Sequence, residues 1–100
     1  MIKIIGDRGV GKTKQLIELA RETPRSAILT KDKRGLKVKA QNYGYEDVAI
    51  YDYNDLEKDL IPLGCNLMVH QAEPLLEYLM EHYYFCKPYA VTMTSPNVKK

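Results

Sequence analysis

Close to its N-terminus the chain reads Ile4-Ile5-Gly6-Asp7-Arg8-Gly9-Val10-Gly11-Lys12-Thr13, and no other stretch limits the fold as strongly. Gly6, Gly9 and Gly11 would each weaken a strand or helix interior, so together they mark a loop. Before them, Met1–Ile5 is short, apolar and β-prone, which predicts a buried strand. After them, Leu16, Ile17, Leu19 and Ala20 recur at helical spacing. A helix over Lys12–Glu22 follows, stopped at Thr23-Pro24.

Gly6 to Thr13 fits the phosphate-loop pattern G-x-x-x-x-G-K-[S/T] (the Walker A motif) at every fixed position. The chemistry explains the residue types. Glycines let successive backbone N–H groups point inward as an anion nest. The helix beginning near Gly11 adds the positive end of its dipole. Lys12 supplies a point charge for the β- and γ-phosphates, and the Thr13 hydroxyl is the expected Mg²⁺ ligand. Asp7, Arg8 and Val10 fill the variable positions, with Arg8 either a solvated turn residue or a group leaning over base or phosphate. The eight residues Gly6, Asp7, Arg8, Gly9, Val10, Gly11, Lys12 and Thr13 are therefore the expected nucleotide-binding set.

The rest of the chain alternates in the same style. Ser26–Thr30 predicts a second buried strand, followed by a basic helix ending near Tyr43-Gly44, where glycine suits a left-handed cap. Val48–Tyr51 predicts a third strand, and Leu56–Leu60 a short helix capped by Asn54 or Asp55. Asn66–His70 predicts a fourth strand. A helix opened by Pro74 runs to about Tyr84 with Leu75, Leu76, Leu79 and Met80 facing inward. Tyr89–Thr94 predicts a fifth strand. This order implies an α/β class: a three-layer phosphate-loop NTPase fold of about five mostly parallel strands, with helices on both faces. Ligands should then lie beyond the carboxyl ends of the strands, where the glycine loop sits.

One hundred residues suit a single domain, here 1–96, with a basic tail at 97–100. Mixed charge and ordinary apolar content exclude a disordered chain. Cys65 and Cys86 lack metal-ligand spacing, and no apolar run is long enough for a bilayer. Free thiols and a cytoplasmic setting, with no membrane partner, are the expectation.

The chain resembles the small P-loop ATPases common as open reading frames in bacteriophages, whose core is similar to the first RecA-type domain of helicases. The resemblance spans almost the whole chain. It rests on IIGDRGVGKTKQLIELA at the front and on LMVHQAEPLLEYLM followed by CKPYAVTMT at the back. It implies binding of ATP (or another purine nucleotide) with Mg²⁺, in the cytoplasm of a bacterial host. Family members carry Asp-Glu at the end of the central strand, the Asp holding Mg²⁺ through water and the Glu activating the attacking water.

This chain departs from that pattern: His70 stands at the Asp position and Gln71 at the Glu position. Neutral imidazole is a poor substitute for an oxygen ligand of Mg²⁺. Gln71 can orient water but cannot take up a proton at neutral pH. Slow or absent hydrolysis with binding retained is the expectation. Gln71 stays a catalytic candidate, joined by Glu73 as the nearest acid and, by resemblance, by Thr94 as a γ-phosphate sensor. Glu73 reads equally as a carboxylate favoured at a helix N-terminus. Asp52 and Asp55 read as turn and capping residues or as groups reaching the phosphates.

Two kinds of partner are open. Lys31, Lys33, Arg34, Lys37 and Lys39 surround Asp32 within segment 31–39 and form a candidate DNA-backbone contact, or else a solvated basic helix face. Eight tyrosines, clustered at Tyr43–Tyr53 and Tyr78–Tyr89, suggest base stacking, a protein or homo-oligomer interface, or a small core with wet hydroxyls. The functional classes are a weak ATPase of phage or prophage DNA metabolism, and a non-hydrolysing nucleotide-binding module or phage-encoded regulator acting on a protein partner. A nucleotide kinase fits less well, because no Arg-rich lid is visible.

Overall fold

The computed structural model of the chain describes Ile4, residues 11–90 and Thr92. Along them run α1 (Lys12–Glu22), β1 (Ser26–Leu29), α2 (Lys33–Asn42), β2 (Ile50–Tyr51), α3 (Tyr53–Glu57), β3 (Asn66–Val69) and α4 (Ala72–Tyr84). Ala27, Ile28 and Leu29 are consecutive, apolar and buried, the pattern of a strand covered on both faces. β1 accordingly lies at the centre of a parallel sheet ordered β2-β1-β3.

The register sets Ile50 and Met68 on either side of Ile28, so the three side chains share one face. Ile17 and Ala20 of α1 and Leu36 and Ala40 of α2 pack on that row. Their spacing is the one-sided helical stripe expected of a helix laid on a sheet. Ile17 and Ile28 are fully buried, and each contributes about 1.5–3 kcal/mol by leaving water.

Helix ends explain the chain's turns. Gly11 precedes α1 with φ 78°, and a Cβ there would touch nothing. The requirement for glycine is thus one of backbone conformation, which penalises other residues by about 1–2 kcal/mol. Asp32 caps α2 by accepting from the Gly35 N–H at 3.0 Å. The helix closes through Gly44, φ 83°, with the Gly44 N–H donating to Gln41 and the Tyr45 N–H to Ala40.

The expected fold class requires correction. The described chain holds three short parallel strands and four helices, too few and too sparse for five strands in three layers. β2 keeps only the last two residues of the expected Val48–Tyr51 strand. Of the expected fifth strand, Tyr89, Ala90 and Thr92 belong to no strand, and Tyr89 is fully exposed. Ile4 is likewise outside any strand; the rest of Met1–Ile5, and positions 91, 93 and 94, lie outside the described residues, as does the basic tail. Among the described residues the helix expected on the second face packs only partly. Leu75, Leu76, Leu79 and Met80 are only half-buried, and no residue of α4 is buried.

Two boundaries also move. α3 starts three residues before the expected Leu56, because Asp52 and Asp55 form a reciprocal capping box at its N-terminus. α4 starts at Ala72, which places Pro74 in its first turn, where the missing N–H has no intrahelical partner to lose.

Candidate functional site

Three elements converge where the parallel strands end. Thr30 follows β1, His70 follows β3, and Thr13 lies in the first turn of α1. The His70 ring joins the other two: Nε2 shares a hydrogen bond of 3.3 Å with Thr13 Oγ1, and Nδ1 one of 3.0 Å with Thr30 Oγ1. The Asp32 N–H also donates to Thr30 Oγ1 at 3.3 Å. Thr30 is 1% exposed, so this hydroxyl is a buried polar group satisfied from two sides.

Burial is the main force lowering the His70 pKa below its ordinary 6.5; Lys39 lowers it further and Asp32 opposes. The ring is therefore neutral at pH 7. Neutral imidazole has one N–H and one lone pair, and both nitrogens face hydroxyls. His70 thus links Thr13 to the end of the central strand, with a hydroxyl beside each ring nitrogen.

The residues expected to form a phosphate loop divide. Gly6, Asp7, Arg8, Gly9 and Val10 lie outside the described residues. Gly11, Lys12 and Thr13 form the entry of α1, with the Gly11 carbonyl accepting from the Gln15 N–H. No acidic residue occupies the first turn of α1, so no side chain of that turn offsets the positive end of its dipole. Sequence order placed Thr13 and His70 near each other by analogy; their side chains meet across 57 positions of chain.

The catalytic candidates fare differently. Gln71 caps α4 with φ 62°, a left-handed conformation rare for a side chain of its kind, and is exposed. Glu73 sits in the first turn of α4 and lines a hollow of about 130 Å³ with Leu76, Glu77 and Tyr89. Among the described residues no hydrogen bond joins Glu73 to Thr13 or His70. Thr94 lies outside the described residues, and Thr92 is exposed.

Asp52 and Asp55 are capping residues. The Asp55 N–H donates to Asp52 at 2.8 Å, the Asp52 N–H to Asp55 at 3.0 Å, and Lys33 Nζ to Asp55 at 2.8 Å. The Lys33 bond and the Asp52 N–H hold the Asp55 carboxyl below its ordinary range, and Asp55 raises Lys33 above 10.5. This pairing joins Lys33, at the start of α2, to the cap of α3. Lys31, Arg34, Lys37 and Lys39 are exposed.

The tyrosines also separate into groups. The Tyr45 hydroxyl donates to Glu18 at 3.0 Å while Arg21 lies over its ring at 4.4 Å. With Gln15, Leu19 and Glu22 they border a cleft of about 620 Å³ along α1. Two carboxylates, Glu18 and Glu22, line it beside the Arg21 guanidinium. Tyr53, Tyr78 and His82 stack from α3 to α4, and His82 pairs with Glu57. Burial is the chief cause that pushes the Tyr78 phenol up to about 12. Tyr83, Tyr84, Phe85 and Tyr89 are exposed.

The sequence reading missed Thr30 as a site residue and Lys33–Asp55 as a pair. Thr30 carried one signal, a hydroxyl at the end of an otherwise apolar strand. Lys33 and Asp55 are 22 positions apart and carried none.

Magnesium requires hard oxygen donors in octahedral array, and protein sites usually supply one or two carboxylates. Here the Thr13 hydroxyl meets an imidazole nitrogen. Asp32, Asp52 and Asp55 are held in caps. Among the described residues no three His, Cys, Asp or Glu side chains gather as a metal site. The donors gathered at Thr13 among the described residues do not fit Mg²⁺. Cys65 and Cys86 are free thiols, and among the described residues no helix is long and apolar enough to cross a membrane. Comparison with protein-family models, curated proteins and solved structures found no match for this chain.

Proposed function

We propose that the chain is a nucleotide-binding module that holds ATP, or another purine nucleotide, through Gly6–Thr13 and hydrolyses it slowly or not at all. One observation carries the reading: the residue that closes the Walker A motif, Thr13, opens α1 and is joined through His70 to the end of the central strand. Backbone N–H groups at the α1 entry and the Lys12 ammonium supply the attraction for phosphate. The absence of turnover follows from the same cluster. His70 is neutral with both nitrogens engaged, and Gln71 cannot accept a proton.

The binding-module reading is favoured over DNA-stimulated ATPase by the Lys33–Asp55 pair, which removes one cation from segment 31–39. Calorimetric titration with ATP, ADP and GTP, followed by phosphate release on the same sample, tests it. Saturable ATP binding without release above the uncatalysed rate is expected. Lack of binding, or release accelerated by DNA, overturns the reading.

A further inference from the structure

We infer that this site takes its nucleotide phosphates without a bound magnesium ion. The inference rests on the nucleotide-binding reading and adds the ionic form of the ligand.

The Thr13 hydroxyl is the group that would face the metal, and its partner is His70 Nε2 at 3.3 Å. Imidazole nitrogen suits softer ions; magnesium selects oxygen and retains several waters, which carboxylates orient. Replacing a carboxylate by a neutral ring also removes a negative charge from the metal's surroundings. Metal-free triphosphate is the more negative ligand and needs positive charge in compensation. The Lys12 ammonium stands at the first position of α1, which begins with no acid in its first turn. Two acids near the strand ends are already engaged. Asp32 accepts from the Gly35 N–H, and Asp55 is bound by Lys33 and by the Asp52 N–H.

The test titrates ATP, and separately pyrophosphate, into the wild-type protein and His70→Asp, each in excess EDTA and in saturating magnesium. For the wild type, affinity in EDTA should equal that in magnesium to within about threefold. In His70→Asp, a carboxylate beside Thr13 should make magnesium tighten ATP binding by about tenfold or more. Wild-type binding that weakens about tenfold on chelation overturns the inference while leaving nucleotide binding intact. A His70→Asp protein as indifferent to magnesium as the wild type overturns the role given to position 70. Absence of binding in every condition overturns the nucleotide-binding reading itself, and the inference with it. The wild-type pair of titrations decides the matter even if His70→Asp does not fold.

Discussion

Replacing Thr30 by valine isolates the buried hydroxyl that anchors His70. Valine keeps the branched shape, so the core around Ile28 and Leu29 retains its volume. What disappears is the hydroxyl that receives the Asp32 N–H at 3.3 Å and meets His70 Nδ1 at 3.0 Å. At 1% exposure water cannot take its place. The longer bond is the weaker, and the imidazole nitrogen left alone bears most of the loss. A buried group without its partner costs about 1–3 kcal/mol. For a chain of this size that lowers Tm by roughly 5–20 °C.

Thermal and urea denaturation followed by circular dichroism would measure it, with an unchanged urea slope showing that the folded state stays compact. A double-mutant cycle with His70→Leu should give a coupling of at least about 0.5 kcal/mol. A Thr30→Val protein within about 0.5 kcal/mol of wild type and uncoupled from position 70 would refute the reasoning. The three elements would then be held by packing alone.

Other consequences follow from the caps and the aromatic stack. Lys33→Met should flatten the acid limb of the stability curve. The depressed Asp55 carboxyl stabilises the fold above its ordinary 3.8, and that contribution is lost as pH falls through its lower folded value. Lys33, raised above 10.5, contributes below that value and ceases to as pH climbs past it. Tm measured against pH should therefore show the wild type ahead of the variant between these limits and converging with it in acid; parallel curves would contradict the pairing. Tyr53→Phe should be neutral or stabilising by about 1 kcal/mol, since the Tyr53 hydroxyl is buried without a hydrogen-bond partner among the described residues. A loss of more than about 1 kcal/mol on urea denaturation would show that the hydroxyl has one.

The parts of this structure legible in the sequence are those fixed by neighbours in the chain. α1 spans Lys12–Glu22 as its apolar spacing and the glycine before it require. β1 follows from three consecutive apolar residues, and α2 ends where Gly44 permits a left-handed turn. Errors arose where local signals compete. Asn54 and Asp55 are both good caps, yet Asp52 wins because Asp55 can reciprocate from three residues further on. Tyr89–Thr94 has the composition of a strand, but its described residues Tyr89, Ala90 and Thr92 belong to none, since composition supplies no neighbour to pair with. Part of the candidate site was legible: Thr13 by the motif pattern and His70 by its place in the order of elements, and their side chains meet in the structure. Thr30 and the Lys33–Asp55 pair depend on chain crossings that spacing does not encode.

The central claim is that Lys12 and the loop before it hold a nucleotide. Calorimetric titration of ATP into the wild type and Lys12→Ala tests it most directly. The ammonium makes a charge-assisted contact worth roughly 1.5–3 kcal/mol, so the variant should bind about 10- to 100-fold more weakly with its fold intact by circular dichroism. Equal affinities for the two proteins, or no heat of binding for either, would contradict the assignment.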